Sequence, residues 1–192
     1  MVHLKHFKLL VILIVIGLFG NTYLIAQTYK VDNQNSSLLI LGTSSLHDWE
    51  ITADKQDGSI NIENTTDFNV QNLTMTFDVM GLKSGKSGMD KNTRKALNYK
   101  SYPTIDFKLS SVKSTSKTNT GYKVEALGNL TIAGTTKAIQ LTFDLVQSNG
   151  TIKISGEKAL KMTTFNVDPP TALLGTITTG DDITIKFNTT FK

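Results

Sequence analysis

The chain of 192 residues contains no cysteine. Disulfide frameworks, cysteine-ligated zinc, iron–sulfur clusters, thiolate nucleophiles and lipoprotein anchoring through an N-terminal cysteine are therefore excluded. Histidine is nearly as scarce, because His3 and His6 lie at the extreme N-terminus and leave His47 alone in the remainder. A histidine-rich metal site or a cysteine–histidine pair cannot be assembled from this composition, and no cofactor is predicted.

Charge is also sparse, at 19% of the residues and a formal net charge of +4. Lys5 and Lys8 are the only charged residues before Gln27, so the rest of the chain carries 18 Lys or Arg against 16 Asp or Glu residues. Nucleic-acid binding needs clustered cations. The nearest grouping, within residues 91–100, is interpreted as a solvated helix face, and no nucleic-acid partner is expected. With 39% apolar residues, the chain can form a core.

Residues 1–26 have the organisation of a secretory signal peptide. Two lysines precede the apolar run Leu9–Phe19, and Ala26 offers a small residue at a cleavage site before Gln27. A helix of eleven residues spans only about 17 Å, well short of a hydrocarbon core of roughly 30 Å. We predict cleavage, a periplasmic or secreted location, no stable membrane span afterwards, and a single domain over residues 27–192. An uncleaved signal anchor is the alternative.

The remainder of the chain is dominated by strand patterns. Apolar and polar residues alternate strictly in four segments, residues 73–79, 105–109, 139–145 and 183–187. Such alternation places the apolar side chains on one face of a half-buried antiparallel strand. Asn149-Gly150 is the strongest hairpin signal, and a further turn is predicted at residues 180–182. We expect roughly eight antiparallel strands, and periodicity alone does not choose between a barrel and a sandwich.

One segment, about residues 88–98, departs from the strand pattern. Met89, Thr93 and Leu97 recur at helical spacing. Pro103 then prevents any continuation of a helix. The sequence therefore predicts one short helix that covers an opening or an edge of the sheet.

An eight-stranded barrel is just wide enough to hold one slender ligand. Alternation and the expected position of the helix predict eleven side chains that would line such an interior: Trp49, Phe77, Val79, Met89, Leu97, Ile105, Phe107, Leu141, Phe143, Ile185 and Phe187. His47, Asp48 and Tyr102 are weaker candidates for the mouth. The alternative for each residue is an ordinary core position, and a register error of one residue would exchange the strand set.

No catalytic or metal-binding residues are predicted. Ser44, His47 and Asp48 could suggest a catalytic triad, but neighbours along a strand point to opposite faces, so Asp48 cannot easily orient the imidazole. Asp48 and Glu50 share a strand face and could bind a hard cation. A solvated strand face is the preferred interpretation of that pair.

Four segments together resemble the YceI-like family of exported polyisoprenoid-binding proteins. They are YKVDNQNSSLLILGTSSLHDWE, MDKNTRKALNYKSYPTIDFKLSSV, GNLTIAGTTKAIQLTF and MTTFNVDPPTALLGTITTGDDITIKF. The resemblance runs from Tyr29 to Phe191, and its most specific parts are the helix leading into residues 102–107 and the turn region of residues 128–137.

The resemblance implies an extended lipocalin-like antiparallel β-barrel. It also implies an apolar tunnel that holds an isoprenoid chain, such as a polyprenyl lipid or a quinone tail, with no metal and no established catalytic residue. The expected function is that of a lipid carrier or store, in a chain compatible with a homodimer. Two alternatives stay open: a structural or adhesive β module without ligand, and an enzyme acting on an apolar substrate.

Overall fold

The structure, a computed structural model, describes residues 27–63 and 68–192. The predicted signal peptide lies outside these residues. Twelve strands occur in the described part: β1 (Gln27–Lys30), β2 (Ser37–Ser44), β3 (Trp49–Ala53), β4 (Gln56–Ile62), β5 (Val70–Asp78), β6 (Leu82–Lys83), β7 (Thr104–Lys117), β8 (Tyr122–Ile132), β9 (Thr135–Ser148), β10 (Thr151–Lys161), β11 (Thr171–Ala172) and β12 (Ile177–Phe191). The α-helix of this part, α1, spans Ser87–Ala96.

The strands form one curled antiparallel sheet. Its order is β1-β4-β5-β7-β8-β9-β10-β12-β2-β3-β6, and β11 pairs with the start of β12. Eight strands have seven or more residues, and the other four have two to five. The predicted all-β antiparallel fold with one short helix is confirmed. The strand count exceeds eight because short strands flank interruptions, such as the 3-10 turn of Asn33–Asn35 between β1 and β2.

The sheet curls until the C-terminal end of β1 meets that of β12, the last strand of the chain, in a region that we call the closed end. Lys30 and Lys192 exchange two backbone hydrogen bonds of 2.8 Å, and Val31 forms a bridge with Phe191. The backbone N–H of Asp32 donates to the carbonyl of Thr190 at 2.8 Å. These bonds pair backbone groups that would otherwise be left at a sheet edge.

Side chains fill the closed end. Six of them are fully shielded from solvent: Ile60, Val124, Ala126, Leu145, Ile152 and Phe191. The rings of Phe68 and Tyr122 add a tilted contact with centroids 4.5 Å apart. Full burial of one aliphatic or aromatic side chain stabilises a fold by about 1.5–3 kcal/mol. This end therefore provides a continuous hydrophobic core.

The hairpin predicted at Asn149-Gly150 is confirmed, because both residues have the positive φ angles, 49° and 76°, of a two-residue turn between β9 and β10.

The prediction of a turn at residues 180–182 is wrong. That segment lies inside β12, where the register with β2 shifts between Thr179 and Ile183. Glycine favours bulges as well as turns, and the Asp181 carboxylate accepts hydrogen bonds from the backbone N–H and the hydroxyl of Thr163.

Asp32 supports the closed end electrostatically. Its carboxylate accepts a hydrogen bond from Asn35 Nδ2 at 2.9 Å, forms an ion pair with Lys192 Nζ at 3.0 Å, and accepts a third bond from the backbone of Gln34. The bond from Asn35, followed by the contact with Lys192, holds the pKa of Asp32 below its usual value of 3.8. The charged form of Asp32 is therefore favoured by folding.

Replacing Asp32 by Asn is expected to lower the free energy of unfolding at neutral pH and to weaken its dependence on acid. Because the folded pKa is depressed, the stabilisation is fully present above the usual carboxyl pKa. It is lost as the pH falls through the folded value. Urea unfolding of both proteins from pH 7 downwards measures this difference. A stability difference that stays constant down to the lowest pH would contradict a role for the Asp32 charge.

Candidate functional site

A cavity of about 630 Å³ occupies the end of the barrel opposite the closed end. We call this the open end. The two regions follow one another along single strands. On β10, Ile152 belongs to the closed end, whereas Ile154 and Leu160 line the cavity. Small-molecule sites usually measure roughly 300–1,000 Å³, so the cavity has the size of a ligand site.

Alternation on β12 builds much of the wall. Ile183, Ile185 and Phe187 point inward at every second position, and β2 places Ile40 opposite Ile185 and Leu38 opposite Phe187. Except for Leu38, these side chains stay partly accessible although they face the interior. Their accessibility follows from the void in front of them, since a filled core would shield them as it does at the closed end.

Two glycines leave room for aromatic rings of the cavity wall. A Cβ atom on Gly128 would lie 2.3 Å from the ring of Phe107, and one on Gly156 would lie 2.8 Å from the ring of Phe187. Both rings line the cavity. The absent side chains therefore provide the space that these rings occupy, and a methyl group at either glycine would push the neighbouring ring towards the cavity.

Helix α1 covers the open end. Met89, Thr93 and Leu97 face the cavity from this segment, at the helical spacing seen in the sequence. The nearly buried Asp90 accepts hydrogen bonds from Ser84 Oγ at 2.7 Å and Ser84 N at 2.8 Å. These bonds lower the pKa of the Asp90 carboxyl and tie the preceding loop to the first turn of the helix.

The structure places most of the predicted ligand-contacting residues on one cavity. Nine of them line it: Trp49, Phe77, Met89, Leu97, Ile105, Phe107, Leu141, Ile185 and Phe187. Val79 and Phe143 are buried elsewhere, with 1% and 2% exposure. Val79 begins a 3-10 turn after β5, where strand alternation stops. Phe143 lies opposite Val124 of the closed-end core. Ligand contact by the nine residues stays a prediction.

Of the weaker candidates for the mouth, only His47 lines the cavity. Its Nδ1 lies 2.6 Å from the backbone oxygen of Asp48, and Ser44 Oγ donates to the His47 carbonyl at 2.7 Å. No bond joins the serine hydroxyl or the aspartate carboxylate to the imidazole in this exposed loop, so the geometry of a catalytic triad is not formed here. The ring of Tyr102 covers Gly134 outside the cavity.

Sequence reasoning missed other parts of the wall. Alternation could have assigned three of these residues, Ile139, Ile183 and Leu160, which continue the inward faces of β9, β12 and β10. The segment after β10 contributes Met162, Phe165, Val167 and Pro170. It had no periodic signal, because it consists of a 3-10 turn and an irregular loop.

Residues 27–63 and 68–192 contain neither a cluster of metal-ligating side chains nor a helix that could span a membrane. No group of three or more His, Asp or Glu residues in this part could hold a metal ion. In the same two ranges, no helix has the length and the apolar character required to cross a lipid bilayer.

A barrel packed at one end, with an apolar cavity under a helix at the other, has the architecture that is typical of β-barrels that bind small molecules. The sequence profile of the YceI-like domain matches residues 29–191, and the chain belongs to this family. No match is found among curated proteins.

Solved structures share the fold at low sequence identity. BcnA from Burkholderia cenocepacia superposes with a TM-score of 0.69 at 20% identity, covering 83% of this chain and 98% of that one. A polyisoprenoid-binding domain from Saccharophagus degradans, implicated in plant cell wall breakdown, has a TM-score of 0.67 at 12% identity, with coverage of 85% and 97%. The Campylobacter jejuni YceI protein gives 0.60 at 18% identity, with coverage of 74% and 84%.

Proposed function

We propose that this protein binds an isoprenoid lipid, such as a polyprenyl lipid or a quinone tail, and acts as its carrier or store. The observation that carries the proposal is the apolar cavity of about 630 Å³ at the open end. The polyisoprenoid-binding domain from Saccharophagus degradans, which shares the fold, supports this ligand class. The proposed role is binding without catalysis.

The energetics favour a long apolar ligand. Each CH₂ group removed from water contributes about 0.8 kcal/mol, whereas association costs about 4–15 kcal/mol in lost freedom. A ligand therefore needs many carbons inside the cavity before binding becomes favourable. Aliphatic and aromatic side chains from several strands line the cavity together and provide such a surface.

A ligand-free structural module is a weaker explanation of the same barrel. An empty apolar cavity destabilises a protein roughly in proportion to its volume. The closed end shows that this sequence packs fully where no space is required. We infer that the void is retained for an occupant. Export, proposed from residues 1–26, suits a carrier, because an apolar lipid requires shielding in an aqueous compartment.

The test is to purify the full chain from its own cells without detergent and to analyse it by native mass spectrometry and lipid extraction. We expect an additional mass of isoprenoid size, and uptake of menaquinone or a polyprenol by protein stripped of lipid. A protein that is empty on purification and refuses both lipids in titration would overturn the proposal.

A further inference from the structure

One cation lies on the inward face of the cavity wall. On β10, Ile154, Gly156, Lys158 and Leu160 share a face, and all except Gly156 line the cavity. Lys158 stands opposite Ile185 of β12, another lining residue. The wall on both sides of this lysine is therefore apolar.

Lys158 has no carboxylate to neutralise it. Among the described residues, ion pairs involve other lysines: Lys161, for example, lies 3.0 Å from Asp182 and 3.9 Å from Asp181. The cavity wall contains three further lysines, Lys86, Lys91 and Lys161, but no Asp or Glu in the described part. These three lysines are exposed, and Lys161 has acidic partners of its own, so the uncompensated positive charge of the inward wall is that of the half-buried Lys158.

A neutral ligand would leave this charge in an unfavourable position. When an apolar chain enters, it displaces water from around the Lys158 ammonium, and loss of hydration without a partner costs free energy. An anion on the ligand would replace that water with a charge-assisted hydrogen bond. We therefore expect this wall to bind an anionic apolar ligand more tightly than a neutral one of the same length.

We propose that the ligand is an isoprenoid with an anionic head group, a phosphate monoester, bound by Lys158. This inference rests on the proposed lipid-binding function and specifies its ligand class. The tail extends towards Ile154, about 13 Å further along β10 at roughly 3.3 Å per residue, and the head group faces the open end. Lys86, just before α1, and Lys91, on the helix, approach the same cavity from the covering side.

The test compares geranylgeranyl phosphate with geranylgeraniol, which has the same chain without the charge. Both are titrated below their aggregation concentrations into lipid-free wild-type protein and into Lys158→Met and Lys158→Arg variants. Lys153→Met is the matched control, because Lys153 is an exposed residue of the same strand outside the cavity lining.

We expect wild-type protein to prefer the phosphate by about tenfold or more. Lys158→Met should abolish most of this preference, by lowering the affinity for the phosphate and by raising that for the alcohol, which no longer displaces water from an ammonium group, and Lys158→Arg should retain it. Lys153→Met should change neither affinity. Circular dichroism and urea unfolding verify that each variant is folded.

Two failures can be told apart. Equal affinity of wild-type protein for the phosphate and the alcohol, unchanged by Lys158→Met, would overturn the anionic head group and leave the carrier function standing. Absence of binding to either compound would count against the carrier function itself, and the head-group assignment would fall with it.

Discussion

Replacing Ile139 by Trp is expected to weaken isoprenoid binding on the order of 100-fold. Ile139 lines the cavity from β9, and an indole there would occupy space for the chain. Exclusion of three to four CH₂ groups at about 0.8 kcal/mol each corresponds to roughly two orders of magnitude in affinity. Titration of lipid-free protein with a polyprenol measures the change.

The neighbouring position supplies a matched control. Gln140 is the next residue of β9, points to the opposite face and is exposed, so Gln140→Trp adds the same side chain outside the barrel. It should leave the affinity within about twofold of wild type. If the two variants bind equally well, the ligand does not occupy this cavity.

Replacing Leu145 by Ala is expected to lower the free energy of unfolding by about 2–5 kcal/mol. Leu145 is fully buried in the closed end, so its truncation leaves a new void among packed neighbours. Truncation of Ile185 to Ala should cost less, about 1–2 kcal/mol, because that side chain already faces the cavity and loses fewer contacts.

Urea unfolding of lipid-free proteins is the appropriate measurement, since a bound ligand would stabilise the native state by itself. The unfolding midpoints and slopes of both variants are compared with wild type. Equal losses for Leu145→Ala and Ile185→Ala would mean that the open end is packed as densely as the closed end in solution, and the cavity would not be a stable feature.

Much of the fold could be predicted from local patterns. Alternation in residues 105–109 and 183–187 correctly identified inward faces of β7 and β12, because an extended chain turns successive side chains to opposite sides. The spacing of Met89, Thr93 and Leu97 indicated a helix, observed at Ser87–Ala96. These patterns depend only on residues close in sequence.

Two of the predicted side chains lie outside the cavity lining, where local and tertiary constraints disagree. Val79 continues the alternation of β5 in sequence, yet the chain leaves the strand at Asp78 for a 3-10 turn. Phe143 has the same inward orientation as Leu141 but lies deeper, where closed-end side chains leave no cavity. Alternation reports the face of a residue and carries no information about its depth.

The amino-acid sequence by itself determined the antiparallel β character, the covering helix and which side of most strands turns inward. Only the tertiary structure decided that one half of the barrel is solid and the other hollow. It also decided that Lys158 reaches the hollow part without a carboxylate beside it. The physical reason is that packing density and charge compensation depend on strands distant in sequence, whose register and curvature no local pattern specifies.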